Sequence, residues 1–211
     1  MIDRRKFLQG TAASTLLSCF PATLSGIERE KSPGQLEKRS LGKTGEKLSI
    51  LGLGGVVVDG VTARQASDYV AEAIDFGVNY FDFAPTYGNA EEMLGPALQP
   101  YRKNVFLACK TQERKKKGAL AELEQSLKNL RTDHFDLYQM HAVTKPEEAR
   151  TILRPGGALE AFQQARRDGK IRFIGFSAHS VEAAMILLDG YDFDTILFPF
   201  NFRTWPVSYT H

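Results

Sequence analysis

The stretch Phe135-Asp136-Leu137-Tyr138-Gln139-Met140-His141 is apolar apart from Asp136 and Gln139 until it ends on a histidine. A short apolar run of this kind reads as a strand buried on both faces, the condition of strands in a parallel sheet. Similar runs lie at residues 48–53, 78–83, 105–108, 171–176 and 195–200. Between them are helical patterns. Thr62 and Gln65 form a capping box before Ala66, Val70, Ala73 and Ile74, and Gly77 is the expected stop. Asn89 is expected to cap a short helix reaching Leu98. Leu120, Leu123, Leu127 and Leu130 make one apolar stripe, and Leu159, Phe162 and Ala165 make another. Ser180 is expected to cap a helix over residues 181–188. Alternating strands and helices predict an α/β chain with a parallel sheet.

Two architectures fit that rhythm, the doubly wound sheet and the (β/α)₈ barrel. The dinucleotide fingerprint of the first fails, because Gly52-Leu53-Gly54 is followed by Val57 where a third glycine should stand. The positions of the polar residues favour the barrel. Asp82, Lys110, His141, Ser177 and Asn201 fall in turn at the ends of the second to sixth strands, with Tyr87 just beyond Asp82. In a parallel barrel those ends converge on one mouth. The fold expected is therefore a (β/α)₈ TIM barrel, incomplete at about six of its eight βα units. An N-terminal β-hairpin precedes it, with residues 36–41 and 46–50 flanking Gly42-Lys43-Thr44-Gly45.

The residue types at the mouth suit carbonyl reduction. A carbonyl that accepts hydride gathers negative charge on oxygen and needs a proton donor and a polarising neighbour. Tyr87 can donate the proton, and the ammonium of Lys110 would stabilise the phenolate left behind. Asp82 would hold Lys110 charged and oriented, and His141 can hydrogen-bond the substrate oxygen. Gly54 and Gly55 would let a cofactor approach the backbone, although a tight turn explains them equally. Taken singly, Asp82, Tyr87 and His141 have plain structural readings as a loop cap, a packing residue and a semi-buried histidine.

Several motifs in order then resemble one family. Asn79-Tyr80-Phe81-Asp82-Phe83-Ala84-Pro85-Thr86-Tyr87-Gly88 is similar to the aldo/keto reductase signature. Val105-Phe106-Leu107-Ala108-Cys109-Lys110-Thr111 is similar to the family's lysine strand, and the stretch ending in His141 to its histidine strand. The hairpin and Ile171-Arg172-Phe173-Ile174-Gly175-Phe176-Ser177 match as well. The resemblance implies an oxidoreductase that interconverts aldehydes or ketones and alcohols with NADP(H). It implies Asp82, Tyr87, Lys110 and His141 as catalytic residues, and Gly54, Gly55, Ser177 and Asn201 as cofactor contacts. The substrate expected is a small-molecule carbonyl compound.

The sequence also departs from the family's pattern. Ala178 follows Ser177 where an asparagine is common, and Leu197 stands where a glutamine is common. Ala142 and Val143 replace a bulky aromatic and a proline. The family's last two βα units, which contact the cofactor phosphates, have no counterpart. The expectation is a missing C-terminal segment, through truncation, a frameshift or a second chain. A non-catalytic remnant or scaffold is the alternative reading. A metal-dependent barrel hydrolase using Asp82, His141 and His179 is a third, weakened by the lack of an HxH pair on the first strand.

The ends and the bulk composition bound the rest. Residues 1–26 read as a twin-arginine-type signal peptide, with Arg4, Arg5 and Lys6 before Phe7-Leu8 and a weakly apolar stretch. That implies the twin-arginine export machinery as partner and a periplasmic destination, with no transmembrane span. Leu16-Leu17-Ser18-Cys19 weakly resembles a lipid-attachment box. Residues 27–35 read as a linker and 36–211 as the partial barrel. The formal charge of +2 arises in the leader, since acidic and basic side chains balance in the remainder. Such a body gives no footprint for nucleic acid. Arg114-Lys115-Lys116-Lys117 reads as a solvated loop. Two cysteines, one of them in the leader, exclude an internal disulfide in the body.

Overall fold

In a computed structural model, residues 36–199 are described. The leader and linker, Cys19 and Asn201 lie outside these residues. An antiparallel hairpin comes first, β1 (Lys38–Ser40) with β2 (Lys47–Ser49). Then follow β3 (Leu53–Gly54), α1 (Ala63–Asp75), β4 (Tyr80–Asp82), α2 (Ala90–Leu98), β5 (Phe106–Thr111) and α3 (Lys116–Asn129). Next come β6 (Phe135–Val143), α4 (Pro146–Leu153), α5 (Ala158–Arg167), β7 (Ile171–Ala178), α6 (Val181–Gly190) and β8 (Thr195–Leu197). Strands β3 to β8 form one parallel sheet in chain order, with no reversal. A doubly wound sheet needs a switch point where the order reverses. The curled sheet is instead six strands of a (β/α)₈ barrel.

Register fixes which side chains face inward. Tyr80 lies opposite Phe106, Ala108 opposite Leu137, and Leu137 opposite Phe173. These residues join Leu41 and Leu48 of the hairpin in one apolar cluster, so the hairpin packs at the N-terminal end of the inner face. Because strand side chains alternate, the next inward residues are Lys110 and Gln139, then His141 and Ser177. The outward set, including Phe81, Cys109, Tyr138, Met140, Ile174 and Phe176, packs against the helices in the larger core.

Local rules account for most helix starts. Thr62 and Gln65 cap α1 reciprocally, and the Ser180 hydroxyl accepts the Ala183 N–H at the start of α6. Asn89 differs from expectation. Its Oδ1 accepts the Gly60 N–H at 3.1 Å, so it ties the β3–α1 connection to α2 instead of capping the helix. Helix α4 was not anticipated, although Pro146 opens it and the Glu148 carboxylate accepts the N–H groups of Thr144 and Lys145.

The first strand is also corrected. Residues 48–53 do not form one strand: Leu48 and Ser49 pair with the hairpin, and only Leu53 and Gly54 join the barrel sheet. Asn79, just before β4, ties the hairpin piece to the barrel, accepting the Ser49 N–H at 2.7 Å and donating to the Lys47 carbonyl at 2.9 Å. Strands β5, β6 and β7 run two to three residues further than expected, to Thr111, Val143 and Ala178. Near the two outer strands of the sheet, large apolar side chains face solvent. Leu51, Val57 and Phe76 do so beside β3, and Met185, Ile196 and Leu197 beside β8.

Candidate active site

Four side chains meet at the C-terminal mouth of the sheet. Lys110 on β5 is only 1% exposed. Its Nζ donates to Asp82 Oδ1 at 2.6 Å and to the Phe83 carbonyl at 3.2 Å. The same nitrogen lies 5.3 Å from the centroid of the Tyr87 ring. Tyr87 in turn meets His141 edge to face, with centroids 5.9 Å apart and planes at 86°. Asp82, Lys110, Tyr87 and His141 are thus contiguous, as the strand ends predicted.

Tyr87 reaches this place through a tight turn, its N–H donating to the Ala84 carbonyl with Pro85 at the second position. The next residue, Gly88, takes a φ of +56°, and a Cβ there would collide with the Asp59 carboxylate. Only glycine satisfies both conditions.

Burial sets the electrostatics. It pushes the Asp82 carboxyl above its ordinary range, with the Lys110 ammonium acting in the opposite direction. His141 is held down to about 4, first by burial and then by Lys110, Arg114 and His179. Its imidazole is therefore neutral at physiological pH, and its buried Nδ1 has no hydrogen-bond partner among the described residues. A neutral ring can offer a hydrogen bond to an oxygen without competing for a proton.

The His141 shift has a consequence for stability. An unfolded histidine titrates near 6.5 and the folded one near 4, so between those values only the unfolded chain takes up the proton. Stability should fall as pH drops from 6.5 to 4 and level off below. After discounting for partial solvent access, the effect should be about 1–2 kcal/mol. Urea denaturation of the wild-type chain and His141→Asn at pH 7 and pH 4.5 measures it, with Asp82 common to both. Parallel pH dependences would show that His141 is not held down.

The expected cofactor contacts are placed unevenly. Ser177 on β7 is inward and 5% exposed, and its hydroxyl accepts the Ala142 N–H at 2.7 Å, leaving its own proton free to donate. At Gly54 an added Cβ would meet only Val56, at 4.0 Å, so the backbone borders open space. Gly55 is different. A Cβ there would lie 2.4 Å from the Phe83 ring and 3.2 Å from Tyr87, so its smallness seats those two rings. Ala178 is buried, and Leu197 is 47% exposed.

Three inward polar residues were missed in the sequence. Gln139 lies beside Lys110 in register, and its Oε1 is buried without a partner among the described residues. Thr195, across Gly175 from Gln139, has its Oγ1 in the same condition. Strand periodicity could have found both. The third is Arg114, expected in a solvated loop. Its side chain is 15% exposed, and its guanidinium donates to the His141 carbonyl at 2.6 Å. Lys116 and Lys117 open α3 and are not loop residues.

A separate cavity of about 770 Å³ opens at the opposite, N-terminal end of the strands. Two of its arginines, Arg102 and Arg172, are both paired with Asp136. Stability, not chemistry, is the usual role of that face of a barrel. Among the described residues, no three His, Cys, Asp or Glu side chains gather as a metal-ion cluster. None of the described helices is long and apolar enough to cross a membrane.

Comparison with known proteins bears on the family and the fold. The profile of the Aldo/keto reductase family matches residues 50–203. An uncharacterised oxidoreductase of Bacillus subtilis, YqkF, is 32% identical over 157 residues, covering 68% of this chain and 49% of its own. L-galactose dehydrogenase of Arabidopsis thaliana is 31% identical over 171 residues, covering 74% and 52%. The chain thus spans about half the length of these relatives. Among solved structures, the holo form of an aldo-keto reductase from Bacillus halodurans superimposes with a TM-score of 0.68 at 28% identity. That match covers 79% of this chain and 58% of the other. From the strand-end residues, the barrel order of the sheet and these matches together, the chain belongs to the aldo/keto reductase family.

Proposed function

We propose that the protein interconverts aldehydes or ketones and alcohols by hydride transfer with NADP(H), through Tyr87, Lys110, Asp82 and His141. The observation that carries this reading is the Lys110 ammonium, buried between the Asp82 carboxylate and the Tyr87 ring with His141 against the same ring. NADPH supplies the hydride when bound. The residues present fit its nicotinamide end, with open space beside Gly54 and a hydroxyl proton on Ser177 that its contact with the Ala142 N–H leaves available. Tyr87 gives its proton to the substrate oxygen, and Lys110 stabilises the phenolate that remains. Asp82 fixes Lys110. Neutral His141 hydrogen-bonds the same oxygen and sets its angle. The names of the relatives, an oxidoreductase and a sugar dehydrogenase, support the redox class.

Two further parts belong to this reading. Residues 1–26 direct export through the twin-arginine machinery with nucleotide loaded beforehand, and a C-terminal segment of two βα units closes the barrel and holds the cofactor phosphates. The apolar side chains exposed near both outer strands support the second part. The same exposed residues, with Ala178 and Leu197 in place of polar carboxamide partners, favour the alternative of a non-catalytic scaffold. A fluorescence titration of NADPH with the full chain separates the two. A shifted, enhanced emission that saturates is expected. Unchanged emission at high protein concentration would remove the enzyme reading for this chain and leave the scaffold.

A further inference from the structure

Strand β6 ends irregularly. Its pairing with β7 slips between Met140 and Val143, and Ala142 within that bulge takes a φ of +51°. This left-handed region is unfavourable for any residue with a Cβ and persists only where surrounding groups hold it. Bulges of this kind re-aim the neighbouring side chain. The neighbour here is His141.

Two groups hold the bulge from opposite sides. On one, the Ser177 hydroxyl accepts the Ala142 N–H. On the other, Arg114 Nη2 donates to the carbonyls of His141 at 2.6 Å and Ala142 at 3.4 Å, while Nη1 reaches the Thr111 carbonyl at 3.5 Å. Arg114 Nε lies 3.5 Å from the Glu148 carboxylate on α4, close enough to pair charges without forming a hydrogen bond. The backbone around Arg114 is itself anchored, since its carbonyl accepts the Ala158 N–H and Lys116 N–H donates to the Gly156 carbonyl. A planar guanidinium with forked donors spans several carbonyls in fixed directions, which an ammonium cannot do.

We infer that Arg114 is a positioning residue for His141: it clamps the strained bulge that follows the histidine and so fixes the imidazole at the mouth of the barrel. The inference rests on the proposed reading only in naming His141 as the group to be positioned. The clamp also places a fixed positive charge near that ring. The other groups around it are Lys110 on β5, paired with Asp82 at the end of β4, Tyr87 beyond β4, and His179 after β7.

Histidine-selective ¹⁵N NMR of the full chain tests the clamp without cofactor or substrate, so its outcome is independent of nucleotide binding. The chain has four histidines, and His141→Asn assigns the relevant ring. In Arg114→Met, the His141 signal should move and broaden, with its titration midpoint raised by about one pH unit as the nearby charge is lost. In Arg114→Lys, the midpoint should stay low while the signal still moves, because charge remains and the fork does not. If Arg114→Met does not fold, Arg114→Lys alone decides. His141 signals that superimpose on wild type in the folded variants would overturn the inference, even where thermal stability has fallen, because a merely structural arginine changes stability without moving the ring.

Discussion

Lys110→Met is expected to lower the stability of the chain by about 3 kcal/mol at pH 7. Methionine fills the lysine's volume closely, so packing is nearly kept and the loss is electrostatic. The change strands the Asp82 carboxylate beside a buried methyl group, and it also removes the donor to the Phe83 carbonyl. Removing one partner of a buried ion pair costs about 3–5 kcal/mol, and the 18% exposure of the Asp82 side chain argues for the lower end. Burial already pushes that carboxyl upward, with Lys110 as the opposing influence. Without the ammonium the variant should recover stability relative to wild type as pH falls, when the carboxylate protonates, since the His141 effect is common to both. The Asp82→Asn, Lys110→Met double replacement should likewise cost much less than Lys110→Met alone. Urea denaturation at pH 7 and pH 5 checks both expectations. Equal losses in the single and double variants would mean that the pair is not coupled.

How much of this was legible in the sequence follows from what each signal depends on. The strand ends were readable because an apolar strand must leave the core somewhere, and a polar residue marks the place. Five in succession pointed to one mouth, and the described four converge there. The first strand was misread because residues 48–53 are apolar for two reasons: Leu48 belongs to the hairpin plug and Leu53 to the barrel. Hydrophobicity carries no label for the partner. Arg114 was misread for a related reason. A basic run has the same composition whether it is solvated or folded back onto carbonyls, and the carbonyls of His141 and Ala142 are distant in sequence. The left-handed turn at Ala142 left no trace, because alanine carries no signal for it. Asn89 chose the Gly60 N–H over its own helix, a contest of two local hydrogen bonds that only the folded chain decides. Gln139 and Thr195 lay on the readable period of two and were passed over because neither looked catalytic.

On the proposed reading, Tyr87→Phe should slow carbonyl reduction by about 10²–10⁴-fold, the usual contribution of a positioned acid, while leaving NADPH binding and stability unchanged. That loss corresponds to about 3–5 kcal/mol of barrier. Phenylalanine keeps the ring that meets His141 edge to face, and keeps the face beside the Lys110 ammonium. It also fits the space bordered by Gly55. Only the O–H is lost, so a fall in rate cannot be assigned to rearrangement of the mouth. His141 cannot conceal the loss. Its imidazolium forms only near pH 4, so at neutral pH it has no acidic proton to offer in place of the phenol's. Lys110 is committed to Asp82 and the Phe83 carbonyl and stands behind the ring, and giving up its proton would strand the carboxylate it neutralises. Single-turnover oxidation of bound NADPH by an aldehyde measures the step apart from binding and product release. A variant as fast as wild type would remove Tyr87 as proton donor, since the alternatives within reach are already occupied or uncharged.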